Sequence, residues 1–296
     1  MEEDKDQKLL QLKVYFYKYI RIFFNSNGLW KILSTFIITS LVLFSTSKLA
    51  FIRYDETRTT AFAIVCACIW TGLFNSIEVF CSERNSIRQE HKSGNVDYSI
   101  FLGAHMMVEF LLCLVEAMII SALVLFVHGN RLNVGETLDL SRVISLSLSV
   151  FLIVYTADVL GLMISSLVKT NKMAMTIMPF ALIFQLVLSN FIFELEGWKE
   201  FFSNFTIAKW GMRALGISID FNTMSTNLSE AQAAGYSGET QETINRFLAL
   251  TRQKYISDYN PAKLHILRVF LVLILFIAVQ TAISRYALGR IDQDKR

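Results

Sequence analysis

Apolar and polar positions fall along this chain in long blocks. Residues 11–27 are different: Leu12, Phe16, Tyr19, Ile20 and Phe23 share one helical face, and Lys18, Arg21 and Asn25 share another. That is the pattern of a helix lying in a membrane interface. Asn25-Ser26-Asn27-Gly28 then stops it. Six apolar blocks follow, at about 30–52, 60–80, 100–127, 143–168, 173–193 and 266–284. Each is near the ~20 residues that cross about 30 Å of hydrocarbon. The pattern predicts an all-α integral membrane protein. It has an N-terminal interfacial amphipathic helix, six transmembrane helices, and a large outer segment between helices five and six, at 196–262.

Within that segment, 197–216 is aromatic but broken by Lys199, Glu200, Lys209 and Arg213, which fits short re-entrant or interfacial helices. Residues 218–240 read as loop and 241–257 as helix. The chain divides into a tail and connecting helix at 1–29, a six-helix domain at 30–290, and a tail at 291–296.

Composition agrees with a membrane protein. Of 296 residues 53% are hydrophobic and 18% charged, against roughly 25% charged in soluble domains. The net charge of +3 gives no reason to expect nucleic acid. Cys66, Cys68, Cys81 and Cys113 lie in or beside apolar blocks, so no disulfide framework is expected in the outer segment, and no metal site. The N-terminus, Met1-Glu2-Glu3-Asp4-Lys5-Asp6, lacks the order of a signal peptide. Lys and Arg concentrate on the side holding both termini and the block 81–94. The positive-inside rule puts that side in the cytosol. The expectation is a multi-pass plasma-membrane protein with both termini cytosolic.

The block from Cys81 to Gly94 is a dense run of charge between two apolar segments. Each charge would cost about 3 kcal/mol in the bilayer, so the run lies in water. None of the 13 glycines is followed by Lys, which rules out a phosphate-cradling Gly-x-x-x-x-Gly-Lys. Gly-x-Ser-x-Gly, His-Glu-x-x-His and Cys-x-x-Cys are absent too. The chain is not expected to be an enzyme.

Glu78, Glu109, Glu116 and Asp158 fall in or at the ends of spans. Intramembrane acids are costly and mark ion relays, substrate contacts or helix pairing. Glu78 is expected to pair with Arg84, and His105 to bond Glu109. For Glu116 and Asp158, structural hydrogen bonding and a direct role in transport both stand. Trp70, Phe74 and Glu78 follow i, i+4 spacing on the second span, as do Phe180, Phe184 and Leu188 on the fifth. These stripes suit either a greasy cavity or packing against lipid and helices.

Several segments together carry a resemblance. Phe74-Asn75-Ser76-Ile77-Glu78-Val79-Phe80, Glu83-Arg84 with Glu90 and Ser93-Gly94, Leu160 to Leu167, and Phe205 to Leu215 follow in a set order. The chain resembles the transmembrane half of ABC exporters of the G subfamily and their bacterial type-2 permease relatives. Where that family has an Arg-Glu pair, this chain has Gln89-Glu90, with Arg88 one place early.

The resemblance implies a dimer of two permease halves, identical or not, among membrane lipids, with partner ABC ATPase subunits that bind ATP and Mg. This chain itself would hold no cofactor. It further implies that Glu78, Glu83, Arg84, Arg88 and Glu90 couple the ATPase to the spans. Trp70, Phe74, Phe180, Phe184 and Leu188 would line a cavity for a hydrophobic or amphipathic substrate (lipid, peptide or drug-like). Two rival readings are a membrane sensor or anchor subunit, and an intramembrane enzyme using His105, Glu116 and Asp158.

Overall fold

The computed structural model describes residues 2–25, 28–46, 50–51, 54–93, 97–132, 140–193, 195, 197–222, 259 and 263–291. Ten helices are assigned among the described residues: α1 Glu2–Asn25, α2 Leu29–Ser45, α3 Tyr54–Ser76, α4 Val79–Lys92, α5 Tyr98–Leu132, α6 Leu140–Leu167, α7 Asn171–Val187, α8 Trp198–Ser203, α9 Ile207–Ile219 and α10 Lys263–Gly289. No strand occurs among them.

The amphipathic helix begins earlier than its pattern, at Glu2. Gly28 N–H donates to the Phe23 carbonyl at 2.9 Å, and α2 leaves at 63° to α1. A Cβ on Gly28 would stand 2.4 Å from that carbonyl oxygen, so the turn requires glycine here.

Two apolar blocks give shorter helices than hydropathy predicts. α2 ends at Ser45, where the Ser45 and Thr46 hydroxyls donate back to the Leu41 and Leu43 carbonyls at 2.8 and 2.6 Å. α7 ends at Val187, before Asn190 turns left-handed at φ 60. Asn tolerates that conformation better than most residues. Consequently four stretches are long and apolar enough to cross a membrane: the run holding α3 and α4, then α5, α6 and α10. The bent α1–α2 pair raises this to five, and the 17-residue α7 falls short. A helix occurs at each of the six apolar blocks, and four or five stretches are long and apolar enough to cross a membrane.

α6 is the central element. It packs against α3, α5, α9 and α10, and touches α4 and α7. Its closest neighbour is α3. A Cβ on Gly72 would stand 2.3 Å from the Val154 carbonyl, and one on Gly161 would stand 2.2 Å from Ser76 Oγ. Small residues at both crossings let the two backbones approach, the usual means of helix association where lipid removes the hydrophobic drive.

Residues 198–219 form two short helices, α8 and α9. α9 is buried along most of its length, against α3, α6 and α10. Gln185 on α7 accepts the Ile207 N–H at 2.7 Å, satisfying the start of α9 from another element. The helix expected at 241–257 lies outside the described residues.

Candidate functional site

The charged block folds as α4, joined to α3 through Ile77 and Glu78. Its first backbone N–H groups need acceptors. Ser165 of α6 supplies one: its Oγ accepts from Phe80 N at 2.9 Å and Cys81 N at 3.1 Å. The return contact comes from Arg84, which donates to the Ser166 and Val168 carbonyls at 3.2 and 2.9 Å. These carbonyls lie at the end of α6, where a cation is favoured by the helix dipole. Each helix thus caps the other.

Further along α4, Glu83 Oε2 lies 3.4 Å from His105 Nε2 of α5. Near its far end Glu90 accepts from Lys18 at 3.1 Å and from the Tyr15 hydroxyl, both on α1. His91 stacks on Tyr98 at 3.9 Å. Phe80 and Ile87 are buried in an apolar cluster with Tyr19, Phe101, Leu162 and Leu288. Burial pushes the Glu83 carboxyl up. The His105 imidazole, the Lys18 charge and Tyr19 together outweigh it and hold Glu83 below its ordinary value of 4.5.

Two expected pairings are replaced by longer-range ones. Arg84, the expected partner of Glu78, turns to the α6 carbonyls. His105 faces Glu83 across helices, while Glu109 takes Lys31 of α2, its Oε1 3.6 Å from Nζ. Arg88 is half-buried and has no hydrogen bond among the described residues.

A second polar set lies inside the bundle. Glu116 is fully buried. It accepts from Thr35 of α2 at 2.9 Å and from Asn75 Nδ2 of α3 at 2.7 Å. Lys31 Nζ also donates to the Asn75 carbonyl at 2.6 Å. α2, α3 and α5 are therefore stitched together through Lys31, Thr35, Asn75, Glu109 and Glu116. Asp158 of α6 is fully buried nearby, and the Ser76 hydroxyl donates to its main-chain carbonyl at 2.5 Å. His105 belongs to the α4 set and Glu116 to this one, so the three residues of the intramembrane-enzyme reading do not share a hydrogen-bond network.

Sequence reasoning missed Lys31, Thr35 and Asn75 here, and Tyr15 and Lys18 at Glu90. Asn75 carried a signal, since a polar amide inside an apolar span needs partners. The others looked like ordinary span and interface residues.

The aromatic stripes lie on neighbouring helices, α3 and α7. Trp70 is 43% exposed, Phe74 42%, Phe180 68% and Phe184 51%. All four side chains are exposed in a single chain. Leu188 is half-buried at the α7 C-cap, its N–H donating to the Phe184 carbonyl at 3.1 Å.

The family model described as ABC-2 type transporter matches residues 11–219. This range runs from within α1 to the end of α9 and takes in both polar sets. No curated protein matches the chain. The match covers well over half of the chain, and with the apolar helices it shows that this multi-pass membrane protein belongs to the ABC-2 type transporter family, as the permease of an ABC transporter.

Proposed function

We propose that the chain is one permease half of an ATP-driven exporter that moves a hydrophobic or amphipathic substrate across the plasma membrane. α2, α3, α5, α6, α7 and α10 are its six crossings. Both termini and α4 face the cytosol, and α8 and α9 line the outer side. ATP and Mg bind on partner ABC ATPase subunits, and a second permease half, identical or not, faces the uncovered side of α3 and α7. Trp70, Phe74, Phe180, Phe184 and Leu188 then line the route between the halves.

The observation that carries this reading is the mutual capping of α4 and α6, with α4 also tied to α1 and α5. A helix bonded at its start, middle and far end moves as a rigid lever. ATPase closure under α4 is passed to α6 through Ser165 and Arg84, to α5 through Glu83, and to α3 through the short break at Ile77 and Glu78. The spans then rearrange and the cavity exchanges its opening.

Purification from its native membrane tests the assignment. The reading predicts an ABC ATPase subunit in equal amount with the permease. A permease that transports without any ATPase, or that co-purifies with a sensor kinase and moves nothing, overturns it.

A further inference from the structure

Asp158 is the acid that the polar network leaves out. Glu109 has Lys31, and Glu116 has Thr35 and Asn75. Among the described residues, neither carboxyl oxygen of Asp158 has a hydrogen-bond partner, although the residue is fully buried, and Glu109 Oε2 is likewise buried without one. The main charges acting on Asp158 come from Glu109 and Glu116 on α5 and Lys31 on α2, with Tyr155 on α6 and Cys113 on α5 as further titratable neighbours. Lys31 is already engaged by Glu109 and the Asn75 carbonyl.

An ionised carboxylate without partners in such a place is untenable, because burying a bare charge costs far more than any one contact returns. Something must neutralise it. No group of three His, Cys, Asp or Glu side chains suited to a metal ion occurs among the described residues. A proton needs only one acceptor oxygen.

We propose that Asp158 is a proton-binding site within the permease. It holds a proton while the α3–α6 seam is closed and gives it up to water when that seam parts. The seam is tight at Gly72 and Gly161, and Ser76, the last residue of α3, bonds the Asp158 carbonyl. Only two residues separate Ser76 from α4. Displacement of α4 therefore acts directly on the Ser76–Asp158 contact at that seam. On release the proton passes to water and the O–H bond of the acid breaks. On closure a proton from water restores it.

Infrared spectroscopy of the full permease in lipid nanodiscs, labelled with carbon-13 aspartate, tests this in mildly alkaline buffer. Exposed aspartates are ionised there. The expected result is a label-shifted carbonyl band of a neutral carboxylic acid, lost in Asp158→Asn. No label-sensitive neutral-acid band in the unsubstituted protein overturns the site, whether or not the variant folds. The release step rests on the proposed ATP-driven cycle. With the ATPase partner trapped by nucleotide and vanadate, the band should disappear, and its persistence overturns release. Failure to find an ATPase overturns the cycle while leaving the first band to be judged by itself.

Discussion

Arg84 donates to the Val168 carbonyl at 2.9 Å, so the guanidinium of one helix closes the open end of another 84 residues away. Its head satisfies two carbonyls that the helix cannot pair internally. Replacing Arg84 with Ala leaves those carbonyls unpaired. The expected cost is about 1–3 kcal/mol, read as a lower thermal unfolding midpoint in detergent.

Ser165 is the other half of that arrangement. Because its hydroxyl sits against the start of α4, Ser165→Ala removes the acceptor for Phe80 and Cys81 N–H. A loss of about 1 kcal/mol is expected. The same hydroxyl donates to Cys81 Sγ at 3.4 Å and favours its thiolate, so Cys81 should react more slowly with a maleimide in the variant, as mass spectrometry of labelled peptides reads.

The Glu83 contact has a pH signature. Its carboxyl is held below 4.5 in the fold, so its stabilising share is complete above the unfolded value and lost as pH falls through the folded one. Glu83→Gln should lower the unfolding midpoint at neutral pH. The gap to the unsubstituted protein should close on the acid side of the carboxylate range. A gap independent of pH contradicts the assignment.

Asn75→Ala removes one of the two side-chain donors to Glu116 and leaves that oxygen buried and unsatisfied. The expected loss is about 1–3 kcal/mol. Gly72→Val forces a Cβ against the Val154 carbonyl and should cost a similar amount through overpacking. Both are read by thermal unfolding and by yield of monodisperse protein.

On the exposed face, Phe184→Ala touches little of the chain's own packing. Stability should hold while substrate-stimulated transport falls. Unaltered transport counts against a substrate route along α3 and α7.

Much of the fold was legible in the sequence because hydropathy blocks report burial in lipid directly. The charged block folds as a helix of its own, α4, after the short break at Ile77 and Glu78. The lengths of α2 and α7 were less legible. Ser45 and Thr46, and then Ser189 and Asn190, end helices through local hydroxyl bonds and a left-handed turn that a hydropathy window averages away. The pairings were the least legible part. Glu78 with Arg84 is the choice that closeness in sequence suggests, and His105 with Glu109 the choice that one-turn spacing suggests. The observed partners, Val168 for Arg84 and Glu83 for His105, come from other helices, which spacing cannot reveal. Lys31 and Thr35 went unnoticed for the same reason.

The lever role of α4 is tested most directly by charge reversal at Arg84. The permease and its ATPase are reconstituted in vesicles with either Arg84 or Arg84→Glu, and substrate-stimulated ATP hydrolysis is measured alongside ATPase binding. The account predicts that the ATPase still binds while stimulation falls by roughly tenfold, equivalent to ~1.4 kcal/mol of lost coupling. Unchanged stimulation in a folded, ATPase-bound Arg84→Glu complex contradicts it.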